Sequence, residues 1–418
     1  MSIIAISYSA VLLLIFGIFL ASEIRQVSAN DDDTAAGIDE EDHTYSYVNK
    51  DCPAPGPCVC IGRQIDCSHK NLSEIPVFDT SVRLLTTSTQ YVELRLDHNE
   101  IQEINEAAFI GLDLEQLYLS YNKISRINER AFEGLNNLKW LDIAENRVSS
   151  LAADMLHNLT NLEDLVLSGN YLRSLNESFF IRLDRLRVLM LMDNELETFP
   201  TGIKYLPILS HLYLQRNNID YVPDYAFTNL KNLVLINLSK MRTNLTLSPR
   251  AFCGHQQRPE ISSAQNDDTD DAKPSAKGIS FVDLSDSGIR SLDICQLAFV
   301  SSITELDLEG NPIECDCDLF FFRHMKRNVK NVQCVKPDKY KHKTLLSLEA
   351  ADGTGCVWDS DSLFAKCSEI CDVAPAASIQ IIRTNAKKEQ FLKNSGSRSS
   401  RLEIANISVL SAIFLSKL

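Results

Sequence analysis

The chain has 418 residues, of which 44% are hydrophobic and 23% are charged. This apolar fraction is sufficient for a large buried core. The formal net charge of −15 at pH 7 argues against nucleic acid as a partner, because phosphate binding needs a basic face. The composition is typical of an acidic extracellular domain.

The N-terminus has the pattern of a secretory signal. An apolar run from Ile3 to Ala21 precedes Val27-Ser28-Ala29, which fits the small-residue rule for signal-peptidase cleavage. We predict a signal peptide at residues 1–29, followed by an acidic disordered segment at 30–50. Retention of the run as a membrane anchor is the alternative, because it is slightly long and no Lys or Arg precedes it.

Residues 51–90 begin with four closely spaced cysteines, Cys52, Cys58, Cys60 and Cys67. In an oxidising compartment they are expected to form disulfides. A zinc site is the alternative, but the spacing C-x5-C-x-C-x6-C matches no zinc pattern and paired histidines are missing.

Residues 91–311 repeat the pattern L-x-x-L-x-L-x-x-N, mostly every 23 or 24 residues. The closing asparagines are Asn99, Asn122, Asn146, Asn170, Asn194, Asn217 and Asn311, with Met241 and Ser287 in the same slot of two further repeats. So short a unit cannot bury its apolar face alone, and its copies must stack into a solenoid. We predict nine repeats.

Alternating leucines such as Leu117 and Leu119 predict one short strand per repeat, with these side chains pointing inward. The asparagine amide is expected to bond backbone groups where the chain turns inside the stack. Later apolar residues, Phe132 and Phe180 among them, are expected to fill the opposite, convex side. The predicted fold is an α/β solenoid with a parallel concave sheet and an irregular convex side.

The outward positions of the middle strands are unusually apolar, whereas the flanking repeats present charged residues there. The outward residues are Tyr118, Trp140, Val166, Val188, Met190, His211, Tyr213 and Leu235. Rigid apolar side chains within a charged rim are typical of a protein interface, so we predict a partner-binding site. Ordinary exposed surface is the alternative.

One repeat contains an insertion, because His255 to Lys277 shows no strand pattern. We predict that 255–277 is flexible. Cys253 and Cys295 flank it, and a disulfide between them would clamp the solenoid, while two buried free thiols are the alternative.

After Asn311 come Pro312 and the cysteine-rich segment 312–371, which carries a basic cluster. The cluster comprises Arg323, Lys326, Arg327, Lys330, Lys336, Lys339, Lys341 and Lys343. We predict a sulfated glycan or acidic lipid headgroups as its ligand, with a solvated surface as the alternative.

A basic stalk at 372–401 leads into an apolar tail at 402–418. The tail is too short to span a bilayer comfortably. With the small residues Asn394 to Ser397 and a polar spacer before it, it fits the signal for a GPI anchor. A sticky disordered terminus is the alternative.

Sequons for N-glycosylation agree with export. They begin at Asn71, Asn158, Asn176, Asn237, Asn244 and Asn406. Asn237 is unusual, because a glycan there would occupy the outward face of a strand.

These repeats and terminal cysteines resemble the extracellular leucine-rich-repeat proteins of animals over residues 50 to 358. The resemblance implies a horseshoe with cysteine-rich caps at both ends. It also implies disulfides from Cys52 to Cys60, Cys58 to Cys67, Cys315 to Cys334 and Cys317 to Cys356, whereas Cys367 and Cys371 depart from the pattern. The layout is similar to that of Nogo-receptor-type surface proteins and to that of secreted chondroadherin-type proteins.

No catalytic, phosphate-binding or dinucleotide-binding motif is found in the sequence, and His98 and His211 are explained as solvated side chains. We therefore predict a non-enzymatic protein without a metal or cofactor, which recognises an extracellular protein ligand or cell-surface receptor. Adhesion and ligand–receptor roles both fit. A secreted matrix component or soluble antagonist is the alternative, and an enzyme is a distant one.

Overall fold

The computed structural model describes residues 52–54, 56–78, 91–253, 279–293, 295–296, 305–316, 319, 328–330 and 332–347. All of these lie in one compact unit, Tyr47–Leu418. The predicted signal peptide, acidic segment, insertion, stalk, tail and Asn406 lie outside the described residues, as do Cys317, Cys356, Cys367 and Cys371. None of the helices in the described ranges is long and apolar enough to cross a membrane.

A 12-stranded sheet runs through the unit, and every neighbouring pair in it is parallel except the first two strands, which are antiparallel. Nine of its strands come one each from the nine predicted repeats. In spatial order the strands are β1 (Val59–Ile61), β2 (Gln64–Asp66), β3 (Glu93–Arg95), β5 (Gln116–Tyr118), β7 (Trp140–Asp142), β8 (Asp164–Val166), β9 (Val188–Met190), β10 (His211–Tyr213), β12 (Leu235–Asn237), β14 (Phe281–Asp283), β15 (Glu305–Asp307) and β17 (Asn328–Lys330).

The convex side is irregular, as predicted. It contains three strand pairs, β4 (Glu103–Ile104) with β6 (Arg126–Ile127), β11 (Tyr221–Val222) with β13 (Thr246–Leu247), and β16 (Ile313–Glu314) with β18 (Cys334–Lys336). Four 3-10 helices are described, at Glu177–Phe180, Thr201–Tyr205, Asp338–Tyr340 and Leu345–Ser347. Cys295, Gln296 and Leu319 are α-helical, so both kinds of helix occur in the described ranges.

The register aligns equivalent residues of successive repeats. Leu94 pairs with Leu117, Leu117 with Leu141, and Leu141 with Leu165. All four leucines are fully buried. The central residue of each of these short strands therefore points into the core, and the residues on either side of it face outward.

The asparagines bond the backbone of two repeats at once, as predicted. Asn194 is fully buried. Its Oδ1 accepts a hydrogen bond from the Leu172 amide at 3.1 Å, and its Nδ2 donates to the Leu167 and Leu191 carbonyls at 2.9 and 3.1 Å. Each asparagine thereby satisfies buried backbone groups that the turn leaves unpaired.

Ser287, which occupies one asparagine slot, also hydrogen-bonds the backbone of two repeats. Its hydroxyl donates to the Leu238 carbonyl at 2.8 Å and accepts from the Met241 amide at 3.4 Å. Met241 itself is buried in its own slot, where a thioether cannot replace an amide as donor.

The residue before each slot adopts the left-handed backbone conformation. The nine residues are His98, Tyr121, Glu145, Gly169, Asp193, Arg216, Lys240, Asp286 and Gly310, with φ between 50° and 74°. His69 in the N-terminal cap has the same conformation, with φ of 55°. These residues form a row along one edge of the sheet, which we call the edge row.

Aromatic rings pack along the convex side of the core. The Phe109 and Phe132 rings lie parallel, with centroids 6.1 Å apart. Phe227 contacts two rings, Phe199 at 5.6 Å and Phe252 at 4.8 Å. These rings fill the space between the turns, as expected from their spacing after the slot.

Disulfides seal both ends of the array. The predicted bonds Cys52–Cys60, Cys58–Cys67 and Cys315–Cys334 are all present. This confirms the cysteine caps that the resemblance implied.

Cys253 and Cys295 are both buried and disulfide-bonded. The alternative of two free thiols is therefore wrong. A direct bond between Cys253 and Cys295 stays a prediction.

Candidate functional site

The candidate site is the outward face of the 12-stranded sheet, which we call the concave face. The eight predicted partner-binding residues all lie on it, at the first or last position of strands β5 to β12. Seven are partly exposed, and Val166 is 8% exposed. The leucines between them are buried, which holds the outward side chains on a rigid base.

Five of the predicted side chains lie side by side across three strands. Val188, His211 and Leu235 are register partners in one row. Met190 and Tyr213 are partners in the adjacent row, which Val166 extends on the N-terminal side.

Phe281 continues the first row beyond Leu235 and is partly exposed. Sequence reasoning missed it because Asp283 and Asp286 mark that repeat as charged. We call Val166, Val188, Met190, His211, Tyr213, Leu235 and Phe281 together the apolar patch.

Tyr118 and Trp140 form a second cluster, with ring centroids 6.2 Å apart. Two carboxylates separate it from the apolar patch. Asp142 lies between Tyr118 and Val166 in one row, and Asp164 lies between Trp140 and Val188 in the other. The predicted surface is therefore interrupted by an acidic pair that the sequence reading did not include.

Both carboxylates are partly removed from solvent. Burial raises the pKa of Asp164 to about 6, an effect increased by the charge of Glu163 and opposed by Arg187. Burial also raises the pKa of Asp142, against hydrogen bonds from Ala144 and Ser120 that lower it. Poorly solvated carboxylates between aromatic and apolar side chains favour a cationic group as a binding partner.

Three buried polar atoms in the same region have no hydrogen-bond partner among the described residues: Trp140 Nε1, Ser168 Oγ and Gln215 Oε1. Buried polar groups are usually bonded, and an unsatisfied one costs about 1–3 kcal/mol.

Charged side chains border the concave face on its N-terminal side. The Arg95 guanidinium lies 5.1 Å from the centroid of the Tyr118 ring, and its Nε donates to Asp97 at 3.1 Å. Burial raises the pKa of Tyr118 to about 12, and Glu93 adds to the shift while Arg95 opposes it. The tyrosine is therefore a neutral donor.

On the C-terminal side, Asn237 is engaged in a local network. Its Nδ2 donates to Asp283 Oδ2 at 3.1 Å. Its Oδ1 accepts from the Ser239 amide and hydroxyl at 3.0 and 2.7 Å. A glycan would replace one of the two hydrogens on this Nδ2.

The other predicted modification sites are accessible. Asn71, Asn158, Asn176 and Asn244 are exposed. Asn176 also caps a 3-10 helix by accepting from the Ser178 amide at 2.9 Å. Glycosylation at these positions stays a prediction.

Half of the predicted basic cluster has described side chains. Lys336, Lys339, Lys341 and Lys343 are exposed. Lys336 lies 3.3 Å from Glu314, and Lys339 lies 4.5 Å from the centroid of the Tyr340 ring. The other side chains of the cluster lie outside the described residues, and glycan or lipid binding there stays a prediction.

One group of metal-ligand side chains converges in the described ranges: His69, Asp97 and His98, at the N-terminal end of the sheet. The sequence reading predicted no metal and treated His98 as solvated. The spacing of these residues in the chain did not predict the cluster, because His69 belongs to the cap and His98 to the first repeat.

The stacked parallel strands, the asparagine ladder and the sealed ends define a leucine-rich-repeat fold with disulfide-bonded caps. The leucine rich repeat family model matches residues 91–148, 137–196 and 160–219. A search of the curated proteins gives no significant match.

The chain is also similar to chains of known structure. The chain is similar to the FLRT2 leucine-rich-repeat domain, solved in an octameric complex with latrophilin 3 and Unc5D. Identity is 18% over 71% of this chain and 98% of that one, with a TM-score of 0.50. Human 5T4, a trophoblast glycoprotein, is 22% identical over 73% of this chain and 98% of its own, with a TM-score of 0.48. A leucine-rich-repeat protein of Leptospira interrogans is 23% identical over 58% of this chain and 61% of its own, with a TM-score of 0.43.

Proposed function

We propose that this chain is a non-enzymatic extracellular or cell-surface recognition protein that binds a protein partner through the concave face. The observation that carries the proposal is the apolar patch beside Tyr118, Trp140 and the two desolvated carboxylates. Aromatic side chains on a partly desolvated surface, surrounded by a polar rim, are typical of the centre of a protein interface. Disulfide caps support an oxidising compartment.

The partner expected at this surface is a protein segment that combines apolar side chains with a lysine or arginine. The apolar side chains would cover the patch. The cation would lie between Asp142 and Asp164, where low solvation strengthens its attraction to the carboxylates. The FLRT2 domain was solved in a complex with two other proteins, which supports protein binding by this fold.

The test begins with a screen of residues 30–394 against extracellular proteins, followed by affinity measurements on variants with the partner found. We expect Trp140→Asp and Tyr213→Asp each to weaken binding at least about 30-fold, the size of a hot-spot effect. Secretion should be unchanged, because both side chains lie on the surface rather than in the core.

The matched controls are Tyr171→Asp and Tyr221→Asp. These tyrosines are 51% and 48% exposed and lie outside the 12-stranded sheet. They should leave binding unchanged. Equal effects of all four substitutions, or none from Trp140 and Tyr213, would reject the concave face as the site.

Two modes of presentation fit the proposed role, namely a GPI-anchored surface protein and a secreted matrix component or soluble antagonist. Treatment of expressing cells with a phosphatidylinositol-specific lipase separates them. Release by the lipase indicates the anchor that the apolar tail predicts. Protein in the medium that retains its C-terminal tail indicates secretion.

A further inference from the structure

His69 and His98 occupy equivalent places on consecutive turns. Both have φ of 55°, and both lie in the edge row or its extension into the cap. The His69 amide donates to the Asp97 carbonyl at 3.2 Å, and the His98 amide donates to the Ser120 carbonyl at 3.0 Å. The solenoid thus fixes their backbones one strand spacing apart and brings the imidazoles together, with ring centroids separated by 4.3 Å.

Asp97 supplies the third group. It is only 5% exposed, and its Oδ1 accepts from Arg95 Nε at 3.1 Å. The ligand atoms of His69, Asp97 and His98 all lie within 4.8 Å of one another. Both histidines are exposed, so the rings can turn towards a shared ion and solvent can complete its coordination.

Hydrogen bonds and a disulfide hold the backbone next to these residues in place without a ligand. Asn99 Oδ1 accepts from the Lys70 and Leu72 amides at 3.0 and 2.9 Å, and its Nδ2 donates to the Cys67 carbonyl at 2.8 Å. Cys67 is bonded to Cys58. The two segments that carry the histidines are therefore tied to each other, which limits the ordering cost of binding.

The local charge also favours a cation. The carboxylates of Asp97, Glu93 and Asp66 lie around the single guanidinium of Arg95. Three carboxylates against one guanidinium leave a negative surplus beside the imidazoles.

We propose that His69, Asp97 and His98 bind one divalent transition-metal ion of the Zn²⁺ type at the N-terminal end of the concave face. Two imidazoles and one carboxylate, with solvent at the remaining position, form a ligand set that Zn²⁺ accepts in tetrahedral geometry. Ca²⁺ and Mg²⁺ do not fit, because they require oxygen ligands. The His98 ring also stacks on the Tyr121 ring, with centroids 4.4 Å apart.

The test is calorimetric titration of the full-length protein, without a histidine tag, with Zn²⁺ alone. His69→Asn and His98→Asn remove the imidazoles, and asparagine tolerates the left-handed backbone at both positions. His342→Asn is the matched control, because His342 is exposed and has φ of 66° in the C-terminal cap.

We expect one equivalent of Zn²⁺ to bind the wild-type protein and the His342 variant with equal affinity. The affinity should fall at least about tenfold in His69→Asn and in His98→Asn, the scale of an altered metal site. Asp97→Asn should weaken binding as well, without changing side-chain shape.

Two results would overturn the proposal. One is a wild-type protein that takes up no stoichiometric Zn²⁺. The other is a lower melting temperature of the metal-free histidine variants with unchanged Zn²⁺ affinity, which would assign the stacked rings a packing role only.

Discussion

At the scale of single residues, one asparagine side chain of a repeat stabilises the fold through its hydrogen bonds to buried backbone groups. Asn194→Ala would leave the Leu172 amide without its partner inside the core. It would also remove one of two amide donors from the Leu167 and Leu191 carbonyls, which Asn170 and Asn217 also contact. An unsatisfied buried group costs about 1–3 kcal/mol, so we expect the free energy of unfolding in urea to fall by about 1–3 kcal/mol. Ser287→Ala is the comparison, because its hydroxyl bonds fewer groups, and it should cost less. A larger loss from Ser287→Ala would contradict the ladder as the main polar support.

Asp164 gives a prediction about pH. Burial raises its pKa to about 6 from the ordinary 3.8. Between these values the folded state binds more protons than the unfolded state, so this carboxyl lowers stability as pH rises through that window. We expect Asp164→Asn to melt above the wild-type protein at about pH 7, and the difference to disappear near about pH 4. Asp154→Asn, at an exposed position, is the control. A difference independent of pH would show that the effect is not titration.

At the scale of elements, the aromatic rings on the convex side differ in the number of other rings that they contact. Phe227 contacts Phe199 and Phe252, whereas Phe109 has one close ring neighbour, Phe132. Truncation of a buried phenylalanine costs about 3–5 kcal/mol, depending on how far the site can collapse. We expect Phe227→Ala to lie at the upper end and Phe109→Ala lower, as measured by chemical denaturation. The reverse order would mean that ring contacts do not set the cost.

The strands and caps could be predicted because they leave a periodic signal. Leu117, Leu141 and Leu165 recur in phase, and the cysteines gather at the ends of the array. The left-handed edge row could not be predicted in this way. Glycine marks it only at Gly169 and Gly310, while His98, Tyr121 and Glu145 adopt the same φ because the turn imposes it.

The candidate site was predicted only in part. The outward apolar residues follow from strand alternation. The raised pKa values of Asp142 and Asp164 could not be predicted from the sequence, because they are caused by burial. The ligand cluster of His69, Asp97 and His98 joins a cap to a repeat. Only a register between strands β2 and β3 makes these residues neighbours.

At the scale of the described unit, each repeat pairs only with the repeats beside it in the sheet. In such an array the stability is close to a sum over repeats and their interfaces. Surface residues on the middle strands are therefore free to specialise for binding, while the disulfides protect the ends. The apolar patch occupies β8 to β14, and charged residues flank it in β3 and β15.

The most direct test of the concave face is oxidative footprinting of the protein with and without the partner identified by the screen. We predict that the partner protects Trp140, Met190 and Tyr213 from oxidation, while Tyr171 and Tyr221 react equally in both states. Protection of Tyr171 or Tyr221 with none at Trp140, Met190 and Tyr213 would contradict the account.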